Sequence, residues 1–379
     1  MSASAISGFY AYTQTLKGVY YGPGSVKDSL ISILEGFGTK KVLIVTGRSL
    51  RERTDVISRI EALLKEREIY GATFSEIGQH SPIADIRKAI QVLKDVNADT
   101  IVSVGGGSPI DASKLILHFL KEERGGSVLP HVAVPTTLSA AEYTPGAGYK
   151  DENGDKTALG GPDFPPAAVI LDAELTLPTP EKLWLSTGIR ALDHAVESLY
   201  RPLVAYPMKV INYEAISLLF KYLPISKDNP GNIAVRQKLQ VAAWMSLWPA
   251  TLSKPVTFGL SHDLSKRVGA SYNVPHGISS CITLPPVVAI QTEFAASDDK
   301  EALARGLTAS GKPSTGSIDG DIIAFSSEIT NLIDSLGLTT RLSDYNIPRE
   351  DIPRIVEKAI GKSSGELYDR VMQIMEKAF

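Results

Sequence analysis

The sequence predicts an α/β plus all-α protein. An N-terminal Rossmann-like domain on a parallel sheet (residues 1–178) precedes an all-helical domain (residues 179–379). Three observations carry this reading. Strand-like and helix-like runs alternate through the first half, the pattern of a parallel sheet covered by helices. A glycine-rich turn follows a buried strand and opens a helix. Beyond "LPTPEKL" (177–183) the apolar spacing becomes mostly helical.

The elements follow in order. "KKVLIVTG" (40–47) is a buried strand bounded by glycine, and "RTDVISRIEALLKERE" (53–68) has helical periodicity. "YGATFSEIG" (70–78) reads as a strand and "IADIRKAIQVLKDVN" (83–97) as a helix. Then come "ADTIVSVGGG", "SPIDASKLILHFLKE" and "PHVAVPTT", with "PAAVILD" (166–172) as the last strand. Helical spacing returns in "STGIRALDHAVESLYRP" (186–202), "INYEAISLLFKYLP", "VRQKLQVAAWMSLWPATL", "DIIAFSSEITNLIDSLG" and "LYDRVMQIMEKAF". The low-complexity patch "GLTASGKPSTGSIDGD" (306–321) is expected to be a surface loop.

The 379 residues are enough for two domains and a large core. Hydrophobic residues make up 43% and charged residues 21%, as in a soluble globular protein. A net charge of −3 gives no general attraction to nucleic acid or an anionic membrane. No apolar run approaches the roughly 18 residues of a membrane span. "MSASAISGFYAY" lacks the basic start and apolar stretch of a secretory signal, so a cytoplasmic location is expected. The single cysteine, Cys281, excludes an intrachain disulfide and a cysteine-based zinc cluster.

"TIVSVGGGSPIDASKLI" (100–116) is the sharpest signal of the first half. Gly105, Gly106, Gly107 and Ser108 would let backbone N–H groups converge on a phosphate at a helix start. The alternative is a tight strand-to-helix turn with no ligand. The loop "AVPTTLSAAEYTP" (133–145) offers the hydroxyls of Thr136, Thr137 and Ser139.

Of six histidines, His80, His118 and His131 lie in the first half and His194, His262 and His276 in the second. Arg190 and His194, four residues apart, share one helical face, as do His262 and Lys266. Three histidines and a carboxylate would make a divalent metal site. Here the fourth position offers an arginine.

Together these motifs resemble the iron-containing alcohol dehydrogenase family, with its dehydroquinate synthase-like fold. "GVYYGPGSVKDSL", "GGGSPIDASK", "STGIRALDHAVESLY" and "GLSHDLSKRVGASYNVPHG" carry the resemblance in order, and "PTTLSAAEYTP" is nearer the maleylacetate reductase branch. The resemblance implies NADPH or NADH bound across Gly105 to Ser108, Thr136, Thr137 and Ser139. Lys156 aligns with a lysine near the nicotinamide ribose. A homodimer with a small-molecule substrate is expected. The three histidine positions of the family's metal site match His194, His262 and His276. The family's Asp is replaced by Arg190 and a further histidine by Lys266. In maleylacetate reductases the Asp position is typically Asn, which implies metal-free hydride transfer.

A guanidinium stays charged at any ordinary pH. A second cation about 4 Å away is repelled by about 4 kcal/mol even at an effective dielectric of about 20. No catalytic metal is therefore expected, although Asp193 and Asp263 are formal substitute ligands. Asp193 is expected to pair with Arg190 at i,i+3 or to be solvated. Arg190, Lys266 and Arg267 form a candidate cationic patch, with the solvated helix face as the alternative for Lys266 and Arg267. His262, Lys266 and His276 are expected on one side of an interdomain cleft, with Arg190 and His194 opposite. Gly47 and Arg48, after the second strand, favour the 2′-phosphate of NADPH. The expected activity is NAD(P)H-dependent, metal-independent reduction of a carbonyl or activated alkene. The rival is a redox-neutral lyase or cyclase on the same fold.

Overall fold

The structure, a computed structural model, describes residues 11–12, 15–154, 156–248, 250–251, 258–272 and 274–379. The start of the stretch read for a secretory signal, residues 1–10, lies outside the described residues. So do Pro249, Leu252 and Asn273 of the quoted stretches. The chain forms two units. One comprises residues 12–179 and 231–241, the other residues 1–11, 180–230 and 242–379.

The α/β unit is built on a six-stranded sheet. Its strands are β1 (Gly18–Tyr21), β2 (Val42–Val45), β3 (Tyr70–Phe74), β4 (Thr100–Gly105), β5 (His131–Pro135) and, after a hairpin, β8 (Ala168–Leu171). They lie in the order β1-β8-β5-β4-β2-β3, every neighbouring pair parallel. Such a sheet is buried on both faces, which is why β2 reads as an unbroken apolar run. Alternation divides its residues between two cores. Val42 and Ile44 pack with α1 (Ser25–Gly36) and α3 (Val56–Glu66). Leu43 and Val45 pack with α4 (Ile83–Asp95) and α5 (Gly107–Arg124). The short α2 (Arg48–Arg53) follows β2.

The hairpin β6 (Gly146–Lys150) with β7 (Lys156–Gly160) is antiparallel and separate from the main sheet. Sequence patterning missed it, because its glycines and lysines give no apolar alternation.

The second unit is helical, formed chiefly by α6 (Glu181–Tyr200), α7 (Tyr206–Asp228), α9 (Leu260–Tyr272) and α10 (His276–Phe294). It continues through α11 (Ser297–Ala309), α12 (Ile318–Ser335), α13 (Ile352–Ile360) and α14 (Glu366–Lys377). Between α7 and α9, α8 (Ile233–Ser246) supplies residues 231–241 of the α/β unit with most of their length. There Arg236 Nη1 donates to the Thr176 carbonyl (2.8 Å) and Gln237 Nε2 to the Leu171 carbonyl (3.1 Å).

The helix expected over residues 186–202 ends at Tyr200, because Pro202 holds Arg201 in the extended region. The expected loop at 306–321 is a loop only in its middle. Gly306 to Ala309 complete α11, and α12 begins at Ile318 behind the Ser317 cap, whose hydroxyl accepts from Gly320 N. No helix among the described residues is long and apolar enough to cross a membrane.

Candidate active site

In the α/β unit, Gly105 ends β4 at φ +140 and α5 starts at Gly107. Gly106 at the N-cap supplies no side-chain cap, so the first N–H groups of α5 are not claimed by one. The loop after β5 comes alongside. Thr136 N donates to the Gly105 carbonyl (2.8 Å). A Cβ on Gly106 would lie 3.1 Å from Thr137 Cγ2, and one on Gly107 would lie 3.5 Å from Ser139 Oγ. The structure thus brings Gly105 to Ser108 together with Thr136, Thr137 and Ser139. This cradle suits an anionic group such as a dinucleotide pyrophosphate.

Ser108 also fixes a neighbouring turn. Its hydroxyl accepts from His80 N (3.2 Å) and its carbonyl from Ser81 Oγ (2.9 Å). His80 and Ser81 both have left-handed φ, 62 and 51. Burial, with the charges of Lys156 and Lys150 beside it, pushes the His80 imidazole down to about 4. Lys156, on β7, also acts on Asp111 of α5, which puts it near the glycine turn. Gly47 caps α2 after β2, the strand beside β4, and the Arg48 side chain is 68% exposed.

Lys114, in the quoted "GGGSPIDASK", is a structural clamp that sequence reasoning missed. Its buried ammonium donates to the carbonyls of Ala141 (2.6 Å), Thr144 (2.9 Å) and Gly146 (2.9 Å) and to Thr144 Oγ1 (2.9 Å). It therefore ties α5 to the hydroxyl-bearing loop.

In the helical unit, α6 is buried from Trp184 to Leu199. Its polar residues Arg190, Asp193, His194 and Glu197 have the 3–4 spacing of a single stripe. Arg190 Nη1 donates to Asp193 Oδ2 (2.9 Å) and to Ser280 Oγ (3.0 Å) on α10. Ser280 Oγ in turn donates to Asp193 Oδ2 (2.6 Å). Arg190 Nη2 lies 2.6 Å from His262 Nδ1 and 3.1 Å from Nε2. Arginine has no acceptor, so the shorter contact makes Nδ1 the acceptor on a neutral imidazole.

The expected opposition of Arg190 and His194 to His262 is therefore corrected. Arg190 touches His262, and the His194 and His262 rings are 5.8 Å apart. The two helices meet because α9 begins against α6. Glu197 accepts from the backbone N–H groups of Gly259 (3.0 Å), Ser261 (2.7 Å) and His262 (3.3 Å). A carboxylate at a helix N-terminus satisfies donors that the helix itself cannot. A Cβ on Gly259 would lie 2.5 Å from Glu197 Oε1, so any side chain here would force the Glu197 carboxylate to shift.

Burial, followed by Arg190 and Arg201, pushes the His194 imidazole well below its ordinary range. His262 moves the same way through burial, Arg190, His194, His276 and Lys266. These influences put Lys266 and His276 close to His262. His276, the first residue of α10, faces Gly269 of α9, where a Cβ would lie 3.3 Å from His276 Nδ1. Lys266 is half-buried; burial, aided by Arg267, lowers its pKa against the pull of Asp263. Beyond His262, Phe258 stacks on the imidazole (4.0 Å, 10°), and the Arg201 guanidinium lies 5.0 Å from the Phe258 ring centre.

Sequence reasoning missed Glu197, Arg201, Phe258 and Ser280. The stripe spacing on α6 was a usable signal for Glu197. Nothing local pointed to the others.

The sequence matches two family models. Iron-containing alcohol dehydrogenase covers residues 17–173, and the Fe-containing alcohol dehydrogenase family C-terminal model covers residues 184–376. The chain belongs to the iron-containing alcohol dehydrogenase family. It is 30% identical over 300 residues to maleylacetate reductase 2 of Cupriavidus pinatubonensis (79% of this chain, 78% of that one). It is 25% identical over 374 residues to the NAD-dependent methanol dehydrogenase of Bacillus methanolicus (94% and 95%). The structure of an iron-containing alcohol dehydrogenase from Corynebacterium glutamicum superposes with a TM-score of 0.80 at 27% identity, covering 98% and 97% of the chains. Membership of this family makes the protein an NAD(P)-dependent oxidoreductase.

As arranged here, the described side chains of this site do not form a ligand set for the iron for which this alcohol dehydrogenase family is named. Among the described residues no group of three or more His, Cys, Asp or Glu side chains is arranged to hold a metal ion. The lone pair that His262 would give a metal is already accepting from Arg190. Asp193 Oδ2 is held by Arg190 and Ser280, while Asp193 Oδ1 and His194 Nδ1 are buried without a hydrogen-bond partner among the described residues.

Proposed function

We propose that the protein is a metal-independent NAD(P)H-dependent reductase of the maleylacetate reductase type. Its substrate would be a small polar, phenolic or carboxylate molecule bearing a carbonyl or activated alkene. The single observation that carries this reading is the Arg190 guanidinium on His262, an organic cation where the family's resident ion would need an open ligand. Bound at the glycine turn, the nicotinamide cofactor supplies a hydride. The residues named for holding it are Gly47, Arg48, Gly105, Gly106, Gly107, Ser108, Thr136, Thr137, Ser139 and Lys156.

Arg190 would then stabilise negative charge as it develops on the substrate oxygen, as an oxyanion hole does. Asp193 and Ser280 fix the guanidinium's orientation, so little reorganisation is needed at the moment of reaction. Lys266, made a readier acid by burial and Arg267, would give that oxygen its proton. His194, held neutral, serves as an acceptor that orients a hydroxyl or an enol, while His262, whose Nδ1 already accepts from Arg190, has only its other ring N–H to donate. His276 is the alternative proton donor at the same place.

Turnover of maleylacetate and related oxo acids by purified, chelator-treated enzyme tests the reading. One NADPH or NADH should be consumed per product formed, with activity unaffected by chelation. Loss to chelation and recovery with iron or zinc would overturn metal independence. Product formation without cofactor consumption would move the assignment to the lyase or cyclase class.

A further inference from the structure

Arg201 is a half-buried cation at the end of α6 whose guanidinium has no ion pair among the described residues. Arg190 is paired with Asp193 at 2.9 Å, and Lys266 feels Asp263. Arg201 has no ion pair or side-chain hydrogen bond among the described residues, and its Nε is buried without a partner. The carboxylate acting on it is Glu197, outside ion-pair distance and already accepting from three backbone N–H groups. A desolvated cation without a partner is costly. It is retained where its partner arrives with a ligand.

The surroundings present this guanidinium rather than hide it. Arg201 N donates to the Glu197 carbonyl (2.8 Å), fixing its backbone at the end of α6. One face of the guanidinium rests over Phe258, a cation–π contact that engages its flat face and not its in-plane N–H groups. Phe258 stacks in turn on His262, which takes a hydrogen bond from Arg190. One stack therefore fixes an unpaired arginine relative to the imidazole and the paired arginine.

We propose that Arg201 is the substrate-anchoring residue of this site and binds a carboxylate of the substrate through its guanidinium fork. The substrates are then oxo or enol acids, with the acid group on Arg201 and the reacting oxygen near Arg190. This assignment of substrate class rests on the reductase reading. Carboxylate binding itself does not require turnover. A fork-to-carboxylate contact is two-pronged and planar, so lysine is a poor substitute.

Calorimetric titration of the full-length enzyme with succinate, and with succinamide as its neutral isostere, tests the proposal without any cofactor turnover. Succinate should bind the wild type at least ~10-fold more tightly than succinamide. Arg201→Gln should weaken succinate by ~10- to 100-fold and leave succinamide unchanged. Arg201→Lys, which keeps the charge, should fall between the two and guards against misfolding of the glutamine variant. Equal binding of acid and amide by the wild type, no binding of succinate at millimolar concentration, or unchanged succinate affinity in a folded Arg201 variant would each overturn it. The reductase reading stands or falls separately, on cofactor consumption.

Discussion

Lys266 and His276 separate chemistry from binding. If either transfers the proton, its replacement by alanine should lower kcat by about 10²–10⁴-fold with a smaller effect on KM. Steady-state kinetics of Lys266→Ala and His276→Ala check this; losses confined to KM would make both residues substrate anchors. His131 offers a test of another kind. It is 3% exposed, its Nε2 lies 2.7 Å from Ser103 Oγ, and burial with the nearby Lys114 pushes it down to about 3. The unfolded chain takes up this proton near pH 6.5. Between pH 6.5 and about 3 the unfolded state therefore binds more protons, and stability falls as pH falls. Urea unfolding of His131→Gln should show its stability deficit against wild type shrinking as pH drops from 7 to 5. The limit is about 1.4 kcal/mol per pH unit. A constant deficit would remove His131 as the cause. Single residues were legible in the sequence where local spacing framed them, as with the pairing of Arg190 and Asp193 at i,i+3. They were opaque where burial decides the role. Lys114 and Arg201 look like solvated cations until the packing around them is known.

Helices α6 and α10 owe their close approach to Gly277. A Cβ there would fall inside the van der Waals distance of the Ser186 carbonyl, which is backbone and has little room to yield. Gly277→Ala should destabilise by about 1–3 kcal/mol or more, since added volume in a packed contact forces backbone shifts. Because His276 is the adjacent residue, activity should fall as well. Thermal melts and kinetics check both, and an unchanged melting temperature would mean the helices can part without cost. At this scale the parallel strands were readable because a sheet buried on both faces leaves continuous apolar runs such as "VLIV". Helix α6 was readable as a helix but not as one buried over its whole circumference. Its charged stripe is solvated by neighbouring side chains instead of water, and sequence periodicity alone does not separate those cases.

For the whole chain, we propose that cofactor choice rests on Gly47 and Arg48, which follow β2. Gly47 supplies no carboxylate to repel a 2′-phosphate. Among the described residues Arg48 pairs only with Glu52, at 3.8 Å and largely exposed, a pairing too weak to withhold it. A lower KM for NADPH than for NADH is expected, reduced towards parity in Arg48→Ala; equal wild-type values would refute the role of Arg48. The change from α/β to helical character near residue 179 was visible in the periodicity. The return of residues 231–241 to the α/β unit was not, because their helical spacing says nothing about which core they join. That return has a consequence for synthesis on the ribosome. The carbonyls of Leu171 and Thr176 receive their Gln237 and Arg236 donors only after residues 180–230 have been made. The nascent α/β unit must wait, incomplete, for a segment encoded well downstream. A premature stop anywhere before residue 231 leaves it open to proteolysis, even though all six strands of its main sheet have already been translated.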